Sequence, residues 1–464
     1  MANTYLTYTP SSGVTLGTKA TISFWVKRSK LDSSGNFYGI LSSNGGWNDG
    51  TGFAIGWRED LLVWYNLANN SGYRTYTNRQ FKDTNAWYHI LYKIDTTQAS
   101  MQDRITLYVN GEDQGDLTSN TSISNAMPSQ NASLNQFFDS GDQHQVGRGG
   151  SAGSTYFDGS LSHFHYVDGS ALAPTVFGST DSTTGEWKIN TSPSYTVGNN
   201  GFFILKDGNS VTDQSANSNN FTVSGGTLTK TEDCPSNVFA TLNPLWRSRW
   251  VNDSTFEHGN NTLDNTSSGG GYGFSTLGMT SGKYYFEAKC TEVARIAVGV
   301  GDANFVQGLD NTWYNFNPSN AIGIIYDGGL YYNNTSNSAY HGSAIQTNDI
   351  VQIALDMDNY RMWFGINGTW LNSATQTQIE NGTATYDVTT KIGTQNVINN
   401  GEPMHFFVAD ISGSGVGSAS VNFGNGYFGT TAVSSAGSNA SGNGIFEYDV
   451  PTGYTALSTK GLNL

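Results

Sequence analysis

Thirty-seven acidic residues, seven histidines and two cysteines are the groups from which this 464-residue chain could build a catalytic or metal site. Glycoside hydrolysis needs two carboxyls about 5 to 9 Å apart, most simply as an E-x-D-x-(x)-E run on one strand face, and no such triplet occurs. Glu59 and Asp60 are adjacent, so on a strand they would point to opposite faces, and Glu447 with Asp449 lacks a third carboxylate. His163 and His165 form the single H-x-H pair and would share a strand face, but His89 and His144 stand apart in sequence and no third metal ligand can be placed. The pair is expected at a strand surface. Cys234 and Cys290 have no CxxC partner; Cys290 ends an apolar run and reads as a small buried hydrophobe. Nucleophile elbows, P-loops and dinucleotide fingerprints are absent, and Gly299 and Gly301 belong to a strand end. Ser179 to Trp187 has Ser, Asp, Gly and Trp in the order of a sialidase Asp-box, but Gly185 is displaced by two positions, so a turn capped by Asp181 is expected. The expected chemistry is therefore binding, not catalysis.

Sugars present apolar C–H faces ringed by hydroxyls, so a glycan site needs exposed aromatic platforms beside Asn, Asp and Gln. Trp47, Trp64, Tyr65 and Tyr73, with Tyr76, offer that in the first half, and Trp313, Tyr314, Tyr331 and Tyr332 in the second. Trp25, Trp87 and Trp363 are assigned to the cores. Net charge is −15, from 22 Lys and Arg against 37 Asp and Glu, so a phosphate backbone would be repelled and nucleic acid is not an expected partner. No run of 18 apolar residues would cross a membrane, and MANTYLTYTP has neither a basic nor an apolar leader region, so no signal peptide is expected.

The elements that must position these groups are strands. Glycine numbers 56 and proline 9, charged residues are only 13%, and aromatics are another 13%, which excludes long helices, collagen and disorder. Ala20 to Lys27 alternates Ile22, Phe24 and Val26 against Thr21, Ser23, Trp25 and Lys27, the pattern of a strand buried on one face. Trp87 to Asp95 and Ile105 to Val109 repeat it, the latter running into the hairpin signal Asn110-Gly111. Lys283 to Cys290 alternates Tyr284, Phe286, Ala288 and Cys290 against Tyr285, Glu287 and Lys289. Asp349 to Trp370 reads as two strands joined at Asp356 to Asn359 and closed by Asn367-Gly368. The fold expected is all-β: two antiparallel sandwiches in series.

The order SFWVKR, AWYHILYKID, ITLYVNGE and DGSLSHFHYVDGSALAP, over roughly residues 3 to 190, resembles the laminin G/concanavalin A-like lectin superfamily. Gly282 to Glu287, Val298 to Asp302 and Asp349 to Gly368 resemble a SPRY domain spanning about 245 to 425. The tail at 176 to 187, the connector NNGFFILKDGNSVTDQSANSNNFTVSGG followed by DCPSNVFATLNP, and the ending IFEYDVPTGYTALSTKGLNL are similar to segments of structural proteins of marine bacteriophages, with Cys234 where those have a small residue or Ser. The resemblances imply a concanavalin A-like sandwich at 1–195, a strap at 196–244 whose strands are Phe202 to Leu205 and Phe221 to Val223, a SPRY-like sandwich at 245–430 and an extension at 431–464. They imply a non-enzymatic phage virion protein, a fibre or a head or tail appendage, that binds host-surface polysaccharide or neighbouring virion proteins. It would be a homo-oligomer, made in the host cytoplasm and extracellular after lysis. Alternatives are a depolymerase whose carboxylates assemble in three dimensions and a purely structural capsid decoration protein. No cofactor is expected; calcium is the cation the laminin G resemblance allows, with Asp60, Asp103, Asp113 or Asp116 as loop ligands, although solvated turn carboxylates explain these equally.

Overall fold

A computed structural model describes residues 3–463 except 15–16, 32–33, 44–51, 69–70, 120–126, 134–137, 151–154, 207–209, 247–253, 267–269, 303–320, 333–334, 338–339, 341–342, 384–386, 392–394 and 412–414. The chain divides into two compact units, Met1–Lys230 and Thr231–Leu464, each built on antiparallel sheets as expected.

In the first unit, an eight-stranded sheet runs in the order Thr118–Ser119, Ser71–Gln80, Leu61–Ala68, Gly52–Arg58, Phe37–Ser43, His144–Val146, Tyr5–Tyr8, Thr222–Ser224. It faces a six-stranded sheet ordered Phe202–Ile204, Gly159–Asp168, Lys19–Arg28, Tyr88–Asp95, Ile105–Val109, Glu112–Asp113. Pairing of Ile22 with Tyr92 and of Phe24 with Ile90 carries the alternating apolar row across strands into one core. Asn110 and Gly111 close their hairpin at φ 50° and 79°, the two left-handed positions a type I′ turn demands.

Thr21, Ser23 and Lys27, expected on an open face, are buried along with Trp25. The segment after the last sandwich strand lies over them: the Thr21 hydroxyl donates to Ser170 O and accepts from Leu172 N. A Cβ at Gly111 would sit 2.3 Å from the Trp187 ring, so that turn also needs glycine for space.

The connector is not one body. Its first strand, Phe202–Ile204, extends the six-stranded sheet and its second, Thr222–Ser224, extends the eight-stranded one, with Asp213 accepting from Phe203 N, Ser215 N and Asn219 N to fix the turn between them. Beyond Lys230 the chain packs on the second unit, where Ala240 N donates to Leu457 O.

The second unit's larger sheet runs Ser254–Glu257, Thr262–Asn265, Gly417–Asn422, Lys283–Val293, Ile350–Asp356, Arg361–Ile366, Thr369–Trp370, with Thr455–Ala456 added in parallel beside Tyr284 and Tyr285. Its partner runs Gly271–Phe274, His405–Asp410, Ile296–Gly301, Ala321–Ile325, Leu330–Tyr332, Thr335–Asn337. Tyr284, Phe286, Ala288 and Cys290 enter the shared core, and burial pushes the Cys290 thiol up to about 12. On the sheet's other face Phe446, Val450 and Tyr454 of the C-terminal extension seal Tyr285, Ala354 and Trp363 in a separate apolar cluster. The extension is part of the second fold.

Candidate functional site

The aromatic platforms fall into three groups. Trp47, Trp313 and Tyr314 lie outside the described residues. Trp64 and Tyr73 are core residues: Trp64 is fully buried on the inner sheet face, edge-on to Tyr92 at 5.0 Å, and Tyr73 is 8% exposed on the same face. Tyr65 and Tyr76, only 4% and 8% exposed, lie on the outer face with Phe37, Ala54 and Val63. The expectation of open stacking platforms at Trp64, Tyr65 and Tyr73 is therefore corrected. Neighbours on a strand point to opposite faces, so of Trp64 and Tyr65 one had to face the core, and here the outer face is covered too. Tyr331 and Tyr332 are half-buried, Tyr331 against the outer cluster of the smaller sheet and Tyr332 against the main core. Trp25, Trp87 and Trp363 are buried as assigned.

Outward of Tyr65 and Tyr76 stand three half-buried arginines. The Arg74 guanidinium lies 4.6 Å above the Tyr65 ring, and Arg74 and Arg58 both donate to the Tyr76 hydroxyl, at 3.4 and 3.3 Å. Arg58 also donates to Gly35 O. Further along, Arg148 sits between the rings of Tyr5 and Tyr156, at 5.0 and 5.1 Å from their centroids. Glu59, exposed, is the neighbouring carboxylate; its Oε1 flanks the Gly35 turn together with the Arg58 guanidinium.

Catalytic geometry is a separate matter. Glu59 and Asp60 form the turn between Gly52–Arg58 and Leu61–Ala68, both at positive φ, and Asp60 turns inward to an ion pair of 3.0 Å with the buried Arg28. That pairing occupies one of the four aspartates considered for calcium; a second, Asp113, caps Gly115 N. Among the described residues no group of three His, Cys, Asp or Glu side chains is placed to hold a metal.

A Ser–His contact appears that the sequence did not signal: Ser23 Oγ lies 2.8 Å from His89 Nε2. The Trp187 indole, a donor only, gives its N–H to His89 Nδ1 at 3.0 Å, so Nε2 carries the ring proton and donates to Ser23. An imidazole in that tautomer is no base toward the hydroxyl, and burial holds it neutral, down to about 3. His165 is not at a strand surface. A bulge between Ser162 and His165 turns its ring beneath Phe203, 3.8 Å away, and toward the Tyr195 hydroxyl at 2.6 Å. His163, at the bulge, has φ of 46° and is 9% exposed. The Asp-box-like segment is the expected turn: Asp181 accepts from Thr183 N, Thr184 N and Lys188, which holds its carboxyl well below the usual range.

The other group missed is Glu287. It alternates outward from the core, yet it is fully buried because the extension closes over it. Its carboxyl accepts from Glu447 N and Tyr448 N, both at 2.9 Å, and from the Tyr285 hydroxyl at 3.0 Å. Gln352 supports this from behind, donating to Tyr285 Oη and accepting from Gly368 N. Burial pushes Glu287 up to about 7. A poised carboxyl often marks an active site, but this one touches no solvent and clasps backbone, so it holds the extension to the sheet.

The fold and these surfaces define a tandem of two binding-type β-sandwiches. Residues 1–176 match the profile described as the concanavalin A-like lectin/glucanases superfamily, of the laminin G type, and residues 283–384 match that of the SPRY domain. The chain thus carries a lectin-like domain at its N-terminal side and a SPRY domain, a protein-interaction type, at its C-terminal side. No curated protein sequence matches. Among solved structures, the SPRY domain of human HERC1 is similar at 20% identity, covering 39% of this chain and 96% of its own, with a TM-score of 0.28. A native heptameric SAP-like pentraxin from Limulus polyphemus is similar at 15% identity, covering 37% and 71%, with a TM-score of 0.25. The TRIM65 PSpry domain is similar at 10% identity, covering 39% and 91%, with a TM-score of 0.26.

Proposed function

We propose that this chain is a non-enzymatic bacteriophage virion protein, a fibre or a head or tail appendage, whose sandwiches bind host-surface glycans or neighbouring virion proteins. The observation that carries the non-enzymatic part is the fate of the acid–base groups. His89, His144, His165 and Glu287, whose acidities burial perturbs, are all sealed in packed interior and engaged by backbone or by neighbouring side chains. The pairing of a lectin-like with an interaction-type domain supports the binding part. The resemblance of the connector and the ending to phage structural proteins supports the virion part. Such a protein assembles as a homo-oligomer following the particle's symmetry, and is found outside the host after lysis.

Mass spectrometry of purified particles of the encoding phage tests this reading. The chain is expected there at a stoichiometry set by particle symmetry. Its absence from particles, with abundant expression in infected cells, would overturn the virion assignment.

A further inference from the structure

Between Phe138 and His144 the chain makes a short surface loop, residues 139–143, whose two ends are both fully buried. Phe138 holds a φ of 55°, a left-handed conformation unfavourable for a bulky side chain. Three sets of contacts keep it there. Its ring stacks on the His144 imidazole at 3.9 Å and on Tyr166 at 4.2 Å, and meets Phe202 edge-on at 5.2 Å. Its carbonyl accepts from the Asn200 side chain at 2.8 Å, and its N–H donates to His144 Nε2 at 2.6 Å. The last bond fixes the tautomer. A backbone N–H only donates, so Nε2 is the bare nitrogen and Nδ1 carries the proton, which it gives to Asp142 O at 2.8 Å. A second proton would have to enter at Nε2, turning the acceptor into a donor that faces the Phe138 N–H. Asn200 and Phe202 begin the connector, and Asn200 ties it to the sandwich by donating to Ser12 O and, through its backbone, to Asp168.

We propose that Phe138 and His144 form an acid-released latch: protonation of His144 at Nε2 expels Phe138 with its loop and loosens the start of the connector, Asn200 to Phe202, from the first sandwich. The direction follows from burial. The closed latch admits only the neutral imidazole, whereas a released one takes up its proton at the ordinary 6.5. The closed form is therefore fully favoured above that pH and loses ground below it, about tenfold per pH unit. The titratable groups around the ring are Asp139 and Asp142 on the loop, Tyr166 and Asp168 on Gly159–Asp168, and Tyr8, opposite His144 in the ladder, with Asp213 of the connector beyond it. Ionised carboxylates favour the added proton, and burial keeps both tyrosines neutral through this range. His89 and His165 lie on the outer sheet face beneath Trp187 and Tyr195, and do not touch the Phe138 N–H.

The test is amide exchange of the full chain between pH 7.5 and 4.5, read in peptides covering 138–144, 199–204 and 19–28, for the wild type and for His144→Gln. Gln still presents an acceptor oxygen to the Phe138 N–H but cannot titrate. In the wild type, protection across 138–144 and 199–204, corrected for the intrinsic rate, is expected to fall by about a hundredfold over that range, while 19–28 stays better protected at every pH. In His144→Gln that fall is expected to be lost. Equal protection of all three regions at pH 4.5 would mean global unfolding and would overturn the latch. So would a fall that persists in His144→Gln, or one confined to 138–144 with 199–204 unmoved. Should the variant not fold, the wild type still decides: nitrogen chemical shifts are expected to place the bare ring nitrogen of His144 at Nε2 at pH 7.5, and a bare Nδ1 would remove the inference.

Discussion

Replacing Glu287 by Gln, with stability followed against pH, probes the contact that fastens the C-terminal extension. In the fold the carboxyl titrates at about 7 against an ordinary 4.5, chiefly because burial disfavours the charge. A folded value raised above the unfolded one means that the stabilisation is fully present below about pH 4.5 and is lost as pH rises through 7. At 1.36 kcal/mol per unit, that difference corresponds to about 3 kcal/mol. Gln cannot titrate, and its amide can accept from only one of Glu447 N and Tyr448 N, leaving the other short of a partner at a cost of about 1–3 kcal/mol. His405, which burial holds below the usual imidazole range, titrates in the opposite sense in the same unit, so the informative quantity is wild type minus variant at each pH. Urea unfolding of the full chain from pH 4.5 to 8.5, with amide exchange read in peptides covering 283–290 and 445–457, gives that quantity for the second unit alone. The wild-type advantage is expected to shrink by about 3 kcal/mol over that range, with exchange in 445–457 rising together with pH beyond its intrinsic increase. A pH-independent difference would refute the placement of an ionisable carboxyl under the extension.

Trp64→Ala is expected to destabilise the first unit by about 3–5 kcal/mol, as for other buried tryptophans, measured by denaturant midpoint; a stable protein with weakened glycan binding would instead restore Trp64 as an exposed platform. Gly111→Ala places a methyl group against Trp187 at a φ of 79°, and should cost at least about 2 kcal/mol and change the Trp187 environment in fluorescence; a neutral outcome would mean the tail does not pack on that turn. His89 and His144 are held neutral by burial, down to about 3 from 6.5. The unfolded chain therefore takes up their protons first, and the first unit should lose stability as pH falls below 6.5, by about 1.4 kcal/mol per pH unit for each; calorimetry between pH 7 and 5 checks it, and a first-unit midpoint that rises on acidification would contradict it.

Strand positions and the sharp turns were legible because they are local. Alternation in Ala20 to Lys27 and Lys283 to Cys290, and the Asn-Gly pairs at 110 and 367, depend on neighbours within a few residues, and the ladders follow them. Alternation says which residues share a face but not whether the other face is open. Thr21 and Glu287 were misjudged or passed over because the tail and the extension cover the second face of their sheets, and Tyr65 because Arg74 lies over its ring. The decisive contacts join distant residues: Trp187 reaches His89 across 98 positions and Tyr448 reaches Glu287 across 161. The arginine face was hidden for the same reason. Arg58, Arg74 and Arg148 sit in ordinary polar settings in sequence, and only the register of four strands, with the bridge between Arg148 and Tyr156, sets them beside Tyr5, Tyr65, Tyr76 and Tyr156.

Binding without turnover is the centre of this account, and one assay addresses it directly: the full chain incubated with purified host envelope polysaccharide, with retention of protein on the polymer and new reducing ends measured in the same tube. Saturable retention with no increase in reducing ends is the expected result. Released oligosaccharide would contradict it, by showing that carboxyls of this chain meet in a catalytic arrangement.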